Sequence, residues 1–174
     1  FGKIGKLRFD ILKKRQDVKI VGIYDVIEPK IKETIFYKTY DELLNSDIDA
    51  VFICAYNTVL AKYTAKALNK GLNVFCEKPP AMKIEELGVV SKAFKKSGKV
   101  LKYGFNHRYH YSVLEAKKII DSGKMGKLLW LRGVYGKAGS IDYDINWRNF
   151  QKYSGGGILI DQGIHMLDLI IFFS

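Results

Sequence analysis

The chain has 174 residues, 48% of them hydrophobic and 27% charged, which excludes disordered, collagen-like and low-complexity proteins. Its two cysteines are too few for a secreted disulfide framework and indicate a reducing, cytoplasmic setting. The net charge is +11, but only five of the 29 basic residues are arginine and the lysines are dispersed, so we expect a solvated surface and no nucleic-acid partner.

The first hundred residues alternate between helix and strand patterns. In chain order we predict a helix over 6–14, a strand over 18–24, a helix over 39–45, a strand over 50–55, a helix over 58–70, a strand over 73–76, a helix over 84–96 and a strand over 99–103. The run 50–55 is apolar throughout, as in a strand that is buried on both faces. Strands alternating with helices of this length indicate an α/β fold with a doubly wound parallel sheet.

The pattern changes after Gly104. We predict a helix over 113–121, a strand over 128–135, a polar loop over 136–153 and a final helix from about Asp161. The apolar run at 166–173 is interrupted by Asp168 and is too short to span a bilayer, so we expect no membrane partner. These changes place a domain boundary near Gly104, with one domain over 1–104 and a second over 105–174.

Both ends of the chain look cut. A doubly wound sheet needs a strand before its first helix, and here a glycine turn leads directly into the helix. The second region has one predicted strand, which does not close a domain. We therefore expect a piece of a longer protein that lacks the first strand and most of the second domain.

Gly2 and Gly5 match the back half of a G-x-G-x-x-G turn, in which the backbone approaches a pyrophosphate at a helix N-terminus. Asp25 lies twenty residues beyond Gly5, at the end of the next predicted strand. A carboxylate there binds the ribose hydroxyls of NAD and repels the extra phosphate of NADP. Each feature alone also fits an ordinary turn, but together they favour a dinucleotide site that prefers NAD.

The segment Glu77-Lys78-Pro79 follows the predicted strand 73–76. Ligands of open α/β sheets bind beyond the carboxyl ends of the strands, so Lys78 would point into the ligand crevice. A lysine there can hold a substrate oxygen and stabilise a developing alkoxide. Without other support, an ordinary surface turn explains the segment equally well.

A glycine-rich string, Gly155 to Asp168, carries the strongest constellation. Asp161 and His165 are four residues apart and Asp168 three further, so all three share one face of a helix. Ile160, Ile164, Leu167 and Ile171 form a separate apolar stripe, which we expect to pack. Histidine is a natural general base near neutral pH, and a carboxylate can orient its ring. A hydrogen-bonded structural histidine is the alternative.

Other site classes have less support. His107 and His110 are three residues apart, but no further ligands are spaced to complete a metal site, so we expect no metal. Neither a G-x-S-x-G elbow nor a phosphate-binding G-K-S/T loop is present. Cys54 and Cys76 are best interpreted as buried free thiols.

These segments together resemble the Gfo/Idh/MocA family of NAD(P)-dependent oxidoreductases. The resemblance covers the whole chain in order: the glycine turn, Asp25, Glu77-Lys78-Pro79, the segment Gly104 to Tyr109, Trp147-Arg148 and the string ending at Asp168. It implies a Rossmann-like parallel sheet followed by the start of an α/β C-terminal domain. It also implies hydride transfer at a hydroxyl or keto carbon of a sugar, polyol or nucleotide sugar, in a protein that forms homo-oligomers.

The resemblance implies roles for individual residues. Lys78, Asp161 and His165 match the family's catalytic set, with His165 as general base, Asp161 orienting it and Lys78 holding the substrate oxygen. The cofactor-binding positions, which would take NAD rather than NADP, are Gly2, Gly5, Asp25, Asn57, Glu77 and Lys78.

The chain departs from the family pattern at Tyr56, where proline is usual, and at Leu60, where histidine is common. The stretch from Asn106 to Asp168 looks most like members that act on nucleotide sugars in bacterial surface-polysaccharide synthesis. A non-catalytic dinucleotide-binding regulator with the same fold is the alternative. Intact Lys78, Asp161 and His165 argue against it, because a sensor needs no proton-transfer pair.

Overall fold

A computed structural model describes residues 1–136 and 146–174. The chain divides into two compact units, Phe1–Tyr103 and Gly104–Ser174. The predicted loop over 136–153 lies partly outside the described residues.

The first unit alternates helices and parallel strands. Its elements in chain order are α1 (Lys3–Lys13), β1 (Gly22–Tyr24), β2 (Ile35–Tyr37), α2 (Tyr40–Leu44), β3 (Ala50–Ile53), α3 (Asn57–Asn69), β4 (Asn73–Cys76), α4 (Ile84–Ser97) and β5 (Leu101–Tyr103). β1 pairs with β2, and β4 lies between β3 and β5, every pair being parallel. The α/β fold with parallel strands and flanking helices is confirmed.

The core of this unit lies between the sheet and the helices α3 and α4. β3 and β4 alternate in burial, so that Val51, Ile53, Val74 and Cys76 point into the core. Leu60 and Leu68 on α3 are fully buried against them, and each such side chain contributes about 1.5–3 kcal/mol. Burial of one strand face therefore stabilises the sheet edge that carries the candidate site.

The prediction that the run 50–55 is buried on both faces is wrong. Phe52 is 42% exposed and stacks on Phe75 of β4, with ring centroids 5.1 Å apart. The two rings cover each other on this face of the sheet, where Phe52 stays partly exposed.

Local capping explains where the helices begin and end. Thr39 caps α2 by accepting a hydrogen bond from the Glu42 backbone N–H at 3.1 Å. α4 has two acidic residues in its first turn and ends at Gly98, whose φ of +62° suits glycine. The strand β2 was not predicted, because three residues between charged and polar neighbours give no clear period.

The second unit consists of short helical segments. They are a 3₁₀ turn (Asn106–Tyr109), α5 (Tyr111–Asp121), a second 3₁₀ turn (Trp147–Asn149), α6 (Gln151–Ser154), a π-helical turn (Leu159–Gly163) and α7 (Ile164–Phe173). Gly104 is buried where this unit starts.

The predicted strand over 128–135 does not form. Those residues are described but take part in no strand pairing with the rest of the described chain. A strand is held by ladder hydrogen bonds to a neighbour, so an alternating pattern alone leaves the segment irregular. Leu129, Trp130 and Val134 are consequently exposed.

By length and composition alone, the helical run Gln151–Phe173 could cross a membrane, with 23 residues and a mean hydropathy of 1.5 in its most apolar window. The expectation of no membrane span considered only 166–173. The run is weak support for a span, because core helices of soluble proteins share this composition. It carries Asp161, His165 and Asp168, and ionisable groups are costly in lipid.

Candidate active-site residues

The glycine turn leads into the N-terminus of α1. Gly2 caps the helix, and its carbonyl accepts a hydrogen bond from the Lys6 N–H at 2.9 Å. A side chain at Gly2 would meet nothing within 4 Å, so the space there is open to a ligand. The first turn of α1 has no acidic residue and carries Lys3 and Lys6. Free backbone N–H groups, the helix dipole and these lysines together suit a phosphate.

Gly5 lies where α1 approaches the end of β3. A Cβ at Gly5 would lie 3.8 Å from the Cβ of Cys54, just beyond the end of β3. The helix therefore runs close to the carboxyl end of the sheet, where ligands of such folds bind.

Asp25 directly follows β1 at the same edge of the sheet. Its carboxylate accepts a hydrogen bond from the Ile27 backbone N–H at 3.2 Å. The side chain is partly exposed, as a carboxylate that binds ribose hydroxyls must be.

Glu77 and Lys78 leave the carboxyl end of β4. The Glu77 N–H donates to the Ile53 carbonyl at 2.9 Å, which extends the β3–β4 ladder by one bond. The Lys78–Pro79 peptide is cis, and Pro79 is fully buried. Lys78 itself is half-buried, two residues beyond the end of β4.

Sequence reasoning missed the partner of Glu77. Arg8 on α1 donates to Glu77 Oε1 from Nε at 3.0 Å and from Nη2 at 2.7 Å, and its guanidinium lies 4.9 Å from the ring centroid of Phe75. The two residues are 69 positions apart, and no local pattern relates them. Asn57, the first residue of α3, is buried next to the end of β3.

In the second unit, Asp161 lies on the π-helical turn and His165 and Asp168 on α7. His165 is 5% exposed and Asp168 is 8% exposed. A π-helical turn closes i→i+5 hydrogen bonds, so the four-residue spacing from Asp161 to His165 does not place them as an α-helix would. The prediction of one shared α-helical face therefore holds for His165 and Asp168 only.

Arginines hold both carboxylates. Asp168 accepts two bonds from Arg108, at 2.7 Å from Nε and 2.5 Å from Nη2. This pairing raises the pKa of Arg108 above its usual value. Asp161 accepts from Arg148 Nε at 3.4 Å and from the Gln162 side-chain amide at 2.8 Å. Both acidic side chains are thus fixed and charge-compensated.

The expected packing of the apolar stripe on this helix is wrong. Leu167 is 54% exposed and Ile171 is 70% exposed, whereas the polar face of α7 is buried. The bidentate Arg108–Asp168 bonds turn that face towards the 3₁₀ turn that carries Arg108. Within the described residues, the bonds from Arg108 therefore fix the polar face of α7.

A row of stacked rings lies against His165. The His107 ring is parallel to that of His165, with centroids 4.0 Å apart and an interplanar angle of 16°. Tyr135 stacks on His107 at 5.4 Å and 25°, and Phe105 meets His165 edge-on at 6.1 Å. The sequence places His107 only three residues from His110, which gives no hint of this stacking. Within the described ranges, no three metal-ligating side chains are grouped as a metal site requires.

The two cysteines are free thiols. Burial raises the pKa of Cys54 and of Cys76 to about 12, so neither is a thiolate at neutral pH. A cysteine nucleophile is therefore not part of the site.

Comparison with known proteins identifies both halves of the chain. Residues 1–105 match the model of the oxidoreductase family with an NAD-binding Rossmann fold, and residues 113–174 match the GFO/IDH/MocA C-terminal domain. The chain is 32% identical to the uncharacterized oxidoreductase YrbE of Bacillus subtilis, over 97% of this chain and 50% of that protein. It is 33% identical to D-glucoside 3-dehydrogenase of Escherichia coli, over 71% of this chain and 35% of that protein.

A solved structure shows the same fold. Myo-inositol 2-dehydrogenase from Lactobacillus plantarum superposes with a TM-score of 0.87 at 32% identity, covering 99% of this chain and 54% of that one. The chain thus spans about half the length of the relatives that it matches. From the two domain matches and these identities, the chain belongs to the Gfo/Idh/MocA family of oxidoreductases and carries its NAD-binding Rossmann fold.

Proposed function

We propose that this chain belongs to an NAD-dependent dehydrogenase that transfers a hydride between nicotinamide and a hydroxyl or keto carbon of a sugar, polyol or nucleotide sugar. The observation that carries the proposal is His165, which is 5% exposed on α7, three residues before the Asp168 carboxylate that Arg108 bonds twice. The named relatives, a glucoside dehydrogenase and an inositol dehydrogenase, support the same reaction class.

The first unit has residues that fit a dinucleotide. The open space at Gly2 and the lysines of the first turn of α1 suit the pyrophosphate, and Asp25 suits the ribose hydroxyls. Asn57 and Glu77 lie at the ends of β3 and β4, on the side where the nicotinamide half would bind. Bound NAD would supply the hydride acceptor, and the charge of Asp25 would disfavour NADP.

The proton is handled by the second unit. His165 would remove the hydroxyl proton of the substrate, and its burial excludes the water that would compete for it. Asp161, fixed by Arg148, would orient His165 and stabilise its charged form. Lys78 would hold the substrate oxygen and stabilise negative charge on it.

The substrate range follows from the relatives and from charge. Inositols and glucosides are the first candidates, since the relatives are named for them. The net charge of +11 also favours anionic substrates such as nucleotide sugars through electrostatic steering. We further propose a cytoplasmic homo-oligomer that binds neither nucleic acid nor membrane.

The test is a turnover assay on the full-length natural protein, with NAD or NADP and a panel of inositols, glucosides and nucleotide sugars. The proposal expects reduction of NAD with at least one of them, and a rate that is lower by roughly 100-fold or more after His165→Ala. Saturable NADH binding without turnover of any member of the panel would instead support the regulatory alternative.

A further inference from the structure

The face-to-face pair of imidazoles in the second unit has no role in the proposed mechanism. We propose that His107 is a positioning residue for His165: its stacked ring fixes the plane of the base and keeps the pair from carrying two protons. This inference rests on the proposed role of His165 as the base. His107 would act through His165, without contact with the substrate.

The geometry restricts the ring of His165. The rings of His107 and His165 lie 4.0 Å apart at 16°, and the ring of Tyr135 stacks with His107 at 5.4 Å. Phe105 meets His165 edge-on at an interplanar angle of 89°. A ring held on one face and at one edge cannot tilt without losing both contacts, so its nitrogens keep a fixed direction.

The same stacking couples the two titrations. A positive charge on one ring lies only 4.0 Å from the other, so two protons on the pair repel each other strongly. Titratable groups this close release their protons as a pair, in two separated steps. The pair therefore keeps one neutral imidazole, the form that a general base needs, to a lower pH than an isolated histidine would.

The surrounding charges do not cancel this repulsion. In the described part of the unit, the charged and titratable groups on the elements around the pair are Arg108, Tyr109, His110, Tyr135, Arg148, Asp161 and Asp168, together with Tyr111, Glu115, Lys117, Lys118 and Asp121 of α5. Glu115 pairs with Lys118 and Asp121 with Lys117. The carboxylates of Asp161 and Asp168 are already bonded to arginines. Each therefore favours a second proton on the rings less than a free carboxylate would.

The chain allows a direct test, because it contains only three histidines. The imidazole Cε1–Hε1 signals can be followed by NMR between pH 4 and 9. His107→Phe keeps a flat ring on His165 but removes the charge, and we expect the midpoint of His165 to rise by about one pH unit. His107→Arg keeps a planar group with a permanent charge, and we expect the midpoint to fall by a similar amount.

The matched control is His110→Gln, because His110 is exposed and meets His107 edge-on at 5.2 Å without belonging to the stacked pair. We expect it to leave the midpoint of His165 unchanged. Opposite shifts for Phe and Arg support the inference, since loss of structure would move both variants the same way. Equal midpoints in the wild type and both variants would overturn it.

If His107→Arg fails to fold, judged by circular dichroism, the wild-type curves decide. Two-step curves for His107 and His165 with shared inflections support the pair, and independent one-step curves overturn it.

The proposed function is tested separately by turnover. Loss of turnover in His165→Ala with no midpoint shift in the His107 variants rejects this inference alone. Midpoint shifts combined with full turnover in His165→Ala reject the proposed function.

Discussion

The two units of this chain bury opposite kinds of side chain. In the first unit the core is aliphatic, centred on Leu60, Leu68 and Val74. In the described part of the second unit, the buried side chains are all polar: Ser154, Gln162, His165 and Asp168. The first unit is stabilised by removing apolar surface from water, whereas Asp168 and His165, buried in the described part of the second unit, contact charged and aromatic partners.

This difference assigns structural support to the first unit and the proposed proton transfer to the second. An aliphatic core fixes the positions of the strand ends, and it loses stability when a buried side chain is made smaller. A buried histidine among fixed carboxylates costs stability unless every group is bonded, and such groups cluster at functional sites. Variants that remove a buried apolar side chain from the first unit or a buried polar contact from the second test this difference.

The largest effect is expected in the aliphatic core. Leu68→Ala removes a fully buried side chain and leaves a cavity, so we expect the first unit to lose about 2–5 kcal/mol of stability. Leu167→Ala is the matched control, because that leucine is exposed on α7 and should change stability by less than about 0.5 kcal/mol. Urea unfolding followed by circular dichroism measures both, and equal losses would contradict the comparison.

The next effect concerns turnover and not stability. His165→Ala should lower kcat by roughly 100-fold or more while NADH binding is kept, because the base is lost and the first unit is intact. His110→Ala, an exposed histidine of the same unit, should leave kcat unchanged. Unchanged turnover in His165→Ala would remove the base from the mechanism.

A smaller loss is expected from the arginine that bonds to the polar face of α7. Arg108→Ala leaves the buried carboxylate of Asp168 without its two bonds, and we expect a loss of about 1–3 kcal/mol. Lys118→Ala removes an exposed pair with Glu115 and should cost less than about 0.5 kcal/mol. Thermal melts of the two variants should differ accordingly. Matching melting temperatures would mean that these bonds do not fix the polar face of α7.

The smallest effect is a change in cofactor preference. Asp25→Ala should lower the preference for NADH over NADPH on the order of tenfold, as expected for about 1.5 kcal/mol of lost selectivity. Glu28→Ala, an exposed carboxylate nearby in sequence, serves as the control. Titrations followed by tryptophan fluorescence give both ratios, and an unaltered ratio in Asp25→Ala would place the ribose elsewhere.

What the sequence could predict follows the same division. The strand at 73–76 was placed at its observed bounds, because a short apolar run between helices has few other structures available. The irregular backbone at 128–135 was not predicted. Alternating apolar and polar residues favour a strand, but a strand also needs a neighbour to pair with. The Arg8–Glu77 pair and the stacking of His107 on His165 join residues far apart in the chain, and no local period encodes such contacts.

The pair between Arg8 and Glu77 has a further consequence for ligand binding. It ties the helix that follows the glycine turn to the residue beside Lys78. An anion that orders the glycine turn would therefore also order the backbone next to Lys78. A substrate that binds at Lys78 afterwards would then pay less of the entropy cost of ordering that backbone. If an anion bound at the glycine turn raises the affinity of Lys78 for a substrate, thermodynamic reciprocity requires the substrate to raise the affinity of the turn for the anion by an equal factor.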